Sequence, residues 1–283
     1  MNSYKKKYYG LIGYPVGHSM SPLMHNDQFE RLQLPYSYQA FEVDPADLGE
    51  AVRGLKALNY SGFNVTVPHK VEVMKYLDDI DKEAEIIGAV NTVEINNGHL
   101  IGRNTDGTGY LQSLLVKAGP VLTHKKILVI GAGGAARAVV SALINHGAEN
   151  VILTNRTLGR AELISESLAS PEKVKVLPKK EAEKETPSFD IIINTTSIGM
   201  HPNVTDTPWT TAELKPGVLC SDLIYNPLYT KWLKDAEQAG AEILNGVGMF
   251  VGQGAVAFEI WTGLTPDINR MTRIVLEQLG GDE

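Results

Sequence analysis

The stretch KKILVIGAGGAARA, residues 125–138, decides the fold of this chain. Residues 127–130 are four successive apolar residues, typical of a buried strand, and a turn rich in glycine follows at once. Gly131, Gly133 and Ala136 match the G-x-G-x-x-G/A form between a strand and a helix, which is the context that this motif requires. The first glycine makes the tight turn, the second lets backbone approach a pyrophosphate, and the small third residue lets the helix pack closely. The sequence therefore predicts a dinucleotide-binding Rossmann unit, with these turn residues beside the cofactor: Gly131, Ala132, Gly133, Gly134 and Ala135.

The end of the next strand selects the cofactor. NAD sites usually place a carboxylate there, bonded to the ribose 2′-hydroxyl. Here the strand NVILTNR ends on Asn155, Arg156 and Thr157, with Arg160 close behind and no carboxylate. An arginine suits a 2′-phosphate because its planar fork binds phosphate through two hydrogen bonds. The pattern favours NADP over NAD, although Arg156 could also be an ordinary exposed arginine and Arg160 an ordinary helix-surface one.

The N-terminal third alternates strand-like and helix-like segments. Its predicted strands are YYGLIG (8–13), YSYQAFEV (36–43) and GFNVTVP (62–68). One helix is predicted to start with Ser21 as N-cap and Pro22 at the first helical position. A second is predicted to open at Asp44-Pro45, and a third to cover residues 70–77. This alternation indicates parallel strands joined by right-handed crossovers. Asn96-Asn97-Gly98 then predicts a hairpin between VNTVEI and HLIGR.

After Thr105 the pattern starts again. A helix is predicted at 106–118, before the glycine turn, and a helix after the turn is predicted to run to Gly147. Further buried-strand runs are VKVL, FDIIINTT, GVLCSDLIY and AEILNG, and two helices close the chain. The charged run 178–187 is interpreted as a solvated helix or loop. The fold class predicted is therefore α/β with two domains, one of them a Rossmann domain.

Composition excludes several classes of partner. The 283 residues carry a net charge of −7, which argues against nucleic acid as a ligand, because phosphate backbones are bound by excess positive charge. The single cysteine, Cys220, cannot form an intramolecular disulfide, which fits a reducing compartment, and its apolar setting favours a buried structural residue. No apolar run is long enough for a membrane helix or a signal peptide. These features favour a cytoplasmic protein without a membrane partner.

Polar residues collect near the predicted carboxyl ends of strands, where ligands bind in parallel α/β sheets. In GFNVTVPHK, residues 62–70, Phe63, Val65 and Val67 predict an apolar strand face, while Asn64 and Thr66 predict a hydrogen-bonding face. The hydroxyl, amide and charged groups expected near such ends are Ser19, Ser21, Asn64, Thr66, Lys70, Asn91 and Asp106. Each has a local explanation when taken alone, such as a cap, a turn or a helix start. Together they predict a hydroxyl-rich pocket beside a nicotinamide, suited to a polyol or hydroxy acid.

The seven histidines show no metal-binding spacing, so no metal is expected.

Motifs along the chain resemble the shikimate dehydrogenase family. The matching strings are HSMSP (18–22), NVTVPHK (64–70), GAVNT (88–92), NTDG (104–107), GAGGAARA (131–138), NRT (155–157), NTTSIGM (194–200), DLIYNP (222–227) and GVGMFVGQGAVAFEIWTG (246–263). The resemblance implies a split substrate-binding domain, residues 1–110 plus 247–283, with a mainly parallel sheet. It also implies an NADP-binding Rossmann domain at 111–246.

The resemblance also implies roles for individual residues. Lys70 and Asp106 form the catalytic dyad. The residues implied to hold shikimate are Ser19, Ser21, Asn64, Thr66, Asn91, Tyr225 and Gln253. Leu223, Gly246 and Met249 lie beside the cofactor in the family pattern. The implied reaction is reversible reduction of 3-dehydroshikimate to shikimate with NADPH, in the route to chorismate and aromatic amino acids, by a monomer or homodimer.

The implied dyad agrees with elementary chemistry. Hydride arriving at a carbonyl carbon leaves an alkoxide, so a proton donor must face that oxygen. Lysine is ordinarily an ammonium at neutral pH, and a nearby carboxylate favours that charged form. Ser19, Ser21 and Tyr225 offer hydroxyl donors to the substrate carboxylate without a formal charge.

Three alternatives stay open from the sequence. One is an NAD-using quinate/shikimate dehydrogenase, which the absence of a carboxylate near Arg156 disfavours. Another is a non-catalytic NADP-binding regulator on the same scaffold, which the presence of both Lys70 and Asp106 disfavours. The third is a dehydrogenase of an unrelated hydroxy acid, against which the full set of motifs speaks.

Overall fold

The structure, a computed structural model, describes residues 5–280. The chain forms two compact units. The first contains the described residues up to Thr105 together with Gln253–Gln278, and the second contains Asp106–Gly252. The chain passes into the second unit directly after Thr105 and returns to the first within one helix.

The described strands are β1 (Lys7–Gly13), β2 (Tyr36–Glu42), β3 (Gly62–Val65), β4 (Asp79–Ile80), β5 (Thr92–Asn96), β6 (His99–Arg103), β7 (Lys126–Ile130), β8 (Asn150–Thr154), β9 (Val174–Val176), β10 (Ile191–Asn194), β11 (Leu219–Asp222) and β12 (Glu242–Leu244). The described α-helices are α1 (Ser21–Arg31), α2 (Leu48–Ala57), α3 (Lys82–Ile87), α4 (Asp106–Ala118), α5 (Gly134–Asn145), α6 (Leu158–Ser167), α7 (Lys179–Lys184), α8 (Lys231–Gln238), α9 (Val247–Thr262) and α10 (Ile268–Gln278). No helix within this described part of the chain combines the length and the apolar character needed to cross a membrane.

The first unit is built on a sheet with strand order β2-β1-β3-β5-β6-β4. β1 pairs in parallel with β2 and β3, whereas β5 is antiparallel to both β3 and β6. Alternate residues of β1 enter two separate cores: Tyr9 and Leu11 pack with Phe29 and Phe258, and Ile12 packs with the opposite cluster. Both faces of the sheet are therefore covered, as the two-residue period of a strand requires. The predicted hairpin is present, with φ values of 51° at Asn97 and 78° at Gly98, since both central residues of such a turn adopt positive φ.

The chain after β3 differs from the sequence-based expectation. β3 ends at Val65, and Val67, predicted on the apolar face, is 67% exposed. Pro68 has no backbone N–H to continue a ladder, so the strand gives way to a turn. The helix predicted at 70–77 is a short 3₁₀ segment, Glu72–Tyr76, because the chain must re-enter the sheet at β4 a few residues later.

Helix α1 also begins differently from the prediction. Its first residue is Ser21 itself, and Met20 takes the N-cap position without a side-chain cap. Ser21 was therefore wrongly predicted as the N-cap, although Pro22 does lie in the first helical turn. The Ser21 hydroxyl is bonded elsewhere, to the Ser19 side chain.

The second unit carries a sheet in the order β12-β11-β10-β7-β8-β9, with every neighbouring pair parallel. Counted from β7, this is the 3-2-1-4-5-6 order of a Rossmann sheet. Ile127 and Val129 enter one core, while Leu128 and Ile130 enter the other. The strand order reverses between β7 and β10, and the glycine turn follows β7 at that point. The predicted α/β fold class with a Rossmann domain is confirmed.

Candidate active site

The glycine turn after β7 has the geometry of a dinucleotide site. Gly131 has a φ of +116°, and a Cβ added there would lie 2.4 Å from the Thr195 Oγ1 atom, so only glycine fits. At Gly133 the opposite holds, because an added Cβ would meet no heavy atom within 4 Å. α5 starts at Gly134 with no side-chain cap on its N-terminus. Open space beside uncapped amide groups at a helix N-terminus fits the pyrophosphate of a dinucleotide.

A buried carboxylate organises the neighbouring strand ends. Asp222 Oδ1 accepts hydrogen bonds from Asn194 Nδ2 at 3.0 Å and from the Ile224 backbone N–H at 3.1 Å. Its Oδ2 accepts from the Thr230 hydroxyl at 2.9 Å. Burial raises the pKa of Asp222 to about 6, against the lowering effect of these three hydrogen bonds. This network fixes the segments after β10 and β11, whose motifs NTTSIGM and DLIYNP are visible in the sequence although the role of Asp222 is not.

Three residues that the family pattern places beside the cofactor lie near one another in the second unit: Leu223, Gly246 and Met249. The Gly246 backbone N–H donates to the Ile224 carbonyl at 3.0 Å, and a Cβ on Gly246 would lie 2.1 Å from the Leu223 carbonyl oxygen. Leu223 and Met249 both pack against the same core of this unit. The ring of Tyr225 stacks on Phe250 with centroids 4.6 Å apart, and burial raises its pKa.

The segment expected to read the ribose phosphate lies between β8 and α6. Asn155 Nδ2 donates to the Thr157 carbonyl at 2.9 Å, which shapes the turn before α6. Arg156 and Arg160 are exposed there.

In the first unit, Asn64 lies at the centre of a buried polar network. Its Nδ2 donates to the Asn91 carbonyl at 3.1 Å and to Thr92 Oγ1 at 3.0 Å. Its Oδ1 accepts from the Tyr38 hydroxyl at 2.7 Å. Sequence reasoning missed Tyr38 and Thr92, since nothing in their local strand patterns distinguishes them from ordinary strand residues.

Asn91 holds the segment that leads into α4. Its Oδ1 accepts from the Thr105 backbone N–H at 2.8 Å, and its Nδ2 donates to Thr105 Oγ1 at 3.0 Å. The Thr105 hydroxyl in turn donates to the Gln253 carbonyl at 3.0 Å. Asp106 follows as the buried first residue of α4.

Backbone hydrogen bonds hold the turn that carries Lys70. The Val90 N–H donates to the Lys70 carbonyl at 2.7 Å, and the His69 N–H donates to the Thr66 carbonyl at 2.9 Å. A ring nitrogen of the buried His69 lies 2.8 Å from the Val43 carbonyl oxygen. The side chain of Lys70 itself is half-buried.

The structure thus divides the predicted site residues between its two units. The first unit contains Ser19, Ser21, Asn64, Thr66, Lys70, Asn91 and Gln253. The second contains Asp106, Tyr225 and the residues predicted to bind the cofactor. Among residues 5–280 no group of three or more His, Cys, Asp or Glu side chains could hold a metal ion.

A Rossmann unit with an open glycine turn, in a chain whose other α/β unit carries a network of buried amide and hydroxyl groups, is typical of a nicotinamide-dependent dehydrogenase. Models of the shikimate dehydrogenase family match three parts of the chain. They are the shikimate dehydrogenase substrate binding domain at residues 11–93, shikimate / quinate 5-dehydrogenase at 113–214, and the shikimate 5'-dehydrogenase C-terminal domain at 246–276. The chain belongs to the shikimate dehydrogenase family, which confirms the resemblance seen in its motifs.

Individual relatives agree with this assignment. A shikimate dehydrogenase (NADP(+)) of Bacillus cytotoxicus is 51% identical over 276 residues, covering 98% of this chain and 100% of the relative. The structure of shikimate 5-dehydrogenase from Thermus thermophilus in complex with NADP(H) and shikimate has a TM-score of 0.86 and 34% identity, over 96% of this chain and 99% of the other. Shikimate 5-dehydrogenase from Listeria monocytogenes, in complex with shikimate and NAD, gives a TM-score of 0.87 and 37% identity, over 97% of this chain and 99% of the other.

Proposed function

We propose that the chain catalyses the reversible reduction of 3-dehydroshikimate to shikimate with NADPH, in the route to chorismate and aromatic amino acids. The observation that carries the proposal is the open, uncapped glycine turn in a chain 51% identical to an NADP(+)-dependent shikimate dehydrogenase along nearly its whole length. Of the alternatives, a non-catalytic regulator and an unrelated hydroxy-acid dehydrogenase are not favoured by these relatives.

Cofactor binding is assigned to the second unit. The amide groups of Gly131, Ala132, Gly133, Gly134 and Ala135 would hold the pyrophosphate. Asn155, Arg156, Thr157 and Arg160 would bind the ribose and its 2′-phosphate, with arginine supplying the charge. Leu223, Gly246 and Met249 would contact the nicotinamide end. When bound, NADPH supplies a hydride to the carbonyl carbon of the substrate.

Lys70 is the proton donor in this proposal. Its ammonium would lie against the carbonyl oxygen and protonate it as the carbon is reduced. Asp106 would complete the dyad, and the Asn91–Thr105 bonds hold the residue that precedes it in the chain. In the reverse direction Lys70 would accept the proton of the substrate hydroxyl.

The remaining polar side chains are assigned to substrate binding. Ser19 and Ser21, whose hydroxyl oxygens are 3.2 Å apart, would donate to the substrate carboxylate together with Tyr225. The ring hydroxyls would be met by the amide and hydroxyl groups of Asn64, Thr66, Asn91 and Gln253. These groups carry no formal charge, so the site would recognise a polyhydroxylated acid by hydrogen bonds.

The test is a spectrophotometric screen of shikimate and quinate against NADP+ and NAD+, following NADPH or NADH formation. We expect the highest kcat/KM for shikimate with NADP+. Absence of turnover with shikimate under any of these conditions would overturn the proposal. A preference for NAD+ or quinate would instead support the quinate/shikimate dehydrogenase alternative.

A further inference from the structure

We propose that Tyr38 is a positioning residue: together with the Asn91 carbonyl and Thr92, its buried hydroxyl holds the Asn64 amide so that Asn64 presents only an acceptor oxygen to a substrate hydroxyl. This inference rests on the proposed function, because it concerns how the same site distinguishes a hydroxyl from other groups on the substrate ring.

The orientation of the Asn64 amide follows from its partners. The Asn91 carbonyl oxygen, 3.1 Å away, can only accept a hydrogen bond, so the Asn64 nitrogen must face it. The second proton of that nitrogen goes to Thr92 Oγ1 at 3.0 Å. The amide oxygen therefore faces the Tyr38 hydroxyl at 2.7 Å, and Tyr38 must be the donor.

What Asn64 can offer to a ligand is then limited. Both of its amide protons are used inside the protein. Its oxygen accepts one bond from Tyr38 and keeps one further acceptor position. A substrate group that meets Asn64 must therefore donate a proton, so a hydroxyl is accepted and a carbonyl or ether is disfavoured.

Tyr38 is itself firmly held. Its backbone N–H donates to Asn26 Oδ1 at 2.8 Å, and its carbonyl accepts from Asn26 Nδ2 at 2.9 Å. Its ring stacks on His25 with centroids 4.5 Å apart and an interplanar angle of 13°. Burial raises the pKa of Tyr38 well above its ordinary range and lowers the pKa of His25 to about 3. Near neutral pH the Tyr38 hydroxyl therefore keeps its proton, and the His25 ring on which Tyr38 stacks is uncharged.

The test compares Tyr38→Phe with Tyr9→Phe in the full-length enzyme. Tyr9 is the matched control: it is equally buried in the same unit, and its hydroxyl donates to the Trp261 carbonyl at 3.3 Å instead of to a predicted site residue. For Tyr38→Phe we expect KM for shikimate to rise about 3- to 10-fold, the range for loss of one hydrogen bond, with KM for NADP+ unchanged. Tyr9→Phe should leave both KM values unchanged.

Substrate analogues make the test independent of folding. In the wild-type enzyme, at least one of the shikimate hydroxyls at ring positions 4 and 5 should be needed for binding. Replacing it with hydrogen or with fluorine should weaken binding, because neither atom can donate a hydrogen bond to Asn64, although fluorine can accept one. The penalty for that replacement should shrink in Tyr38→Phe. Equal KM values for Tyr38→Phe and wild type, or fluoro analogues that bind as well as shikimate, would overturn the inference while leaving the proposed function intact. A wild-type enzyme without shikimate turnover would overturn both.

Discussion

Side chains of the candidate site are held by protein partners before any ligand binds. Asn64 and Asn91 each donate and accept within the first unit, and Asp222 accepts three hydrogen bonds in the second. Fixed polar groups of this kind lose little rotamer freedom on binding and keep their orientation relative to a reacting group. At the residue scale, the structure therefore supports a site that is organised in advance.

Loss of the Lys70 amine should abolish most turnover. We expect Lys70→Ala to lower kcat by about 100- to 10,000-fold, the usual contribution of a positioned acid–base group, with KM for shikimate changing only a few-fold. Lys75→Ala is the control, because Lys75 lies five residues further along in the same segment, is exposed, and pairs with Glu72. Steady-state kinetics with shikimate and NADP+ measure both. Equal losses in kcat and in affinity would make Lys70 a binding residue only.

Asp222 gives a pH-dependent prediction with a defined sign. Its folded-state pKa of about 6 lies above the ordinary value of about 3.9, so the folded protein binds more protons between these values. The contribution of this carboxyl group to the free energy of unfolding therefore falls as pH rises. The expected fall is about 1.4 kcal/mol between about pH 5 and about pH 7.5.

The variant Asp222→Asn removes this proton-binding site. Urea denaturation at about pH 5 and at about pH 7.5 measures the free energy of unfolding of both proteins. The value for Asp222→Asn minus the value for wild type should be larger at the higher pH, by about 1.4 kcal/mol. Parallel pH dependences of the two proteins would show that the Asp222 carboxylate does not titrate in this range.

At the scale of elements, strands were easier to predict than the segments that join them. The run before the glycine turn is β7, where four successive apolar residues leave a clear signal of a strand covered on both faces. The mainly apolar runs GVLCSDLIY and AEILNG likewise contain β11 and β12. The 3₁₀ segment at Glu72–Tyr76 was not predicted, since its extent depends on where the chain rejoins the sheet. The register that brings Tyr38 to Asn64 is likewise a tertiary property and has no local signal.

The glycine turn gives a prediction that separates folding from binding. Gly131→Ala should destabilise the protein and weaken NADP+ binding, because φ is +116° and the new Cβ would collide with Thr195. Gly133→Ala should leave the melting temperature unchanged, because the new Cβ meets no protein atom within 4 Å. It should nevertheless raise KM for NADP+ at least about 10-fold by filling the space of the pyrophosphate.

Thermal melts and KM for NADP+ of the two variants check this contrast. Each variant is the other's control, since both add one methyl group to the same turn. Gly133→Ala with wild-type affinity for NADP+ would show that no pyrophosphate lies there.

At the scale of the whole molecule, the net charge of −7 does not attract an anionic cofactor, so the 2′-phosphate must be held by local cations. We expect Arg156→Ser to raise KM for NADP+ by about 10-fold, as loss of a charged hydrogen bond implies, and to leave KM for NAD+ nearly unchanged. The NAD+ value is the internal control. An equal rise for both cofactors would mean that Arg156 supports the turn and does not read the phosphate.

The fold class and the family could both be predicted from the sequence, because the glycine motif and the strand–helix rhythm are local patterns. The domain limits at 110 and 247 and the roles of individual site residues stay predictions. The polar partners Tyr38, Thr92 and Asp222 could not be predicted, because each acts through contacts between residues distant in sequence.

The central claim is that the Lys70 ammonium faces the oxygen at the carbon that exchanges hydride. A crystal structure of the complex with shikimate and NADP+ tests it most directly. We predict that Lys70 Nζ lies within about 3.2 Å of that hydroxyl oxygen, on the side of the ring carbon that faces the nicotinamide. A complex in which this amine lies beyond hydrogen-bonding distance of every shikimate oxygen would contradict the account.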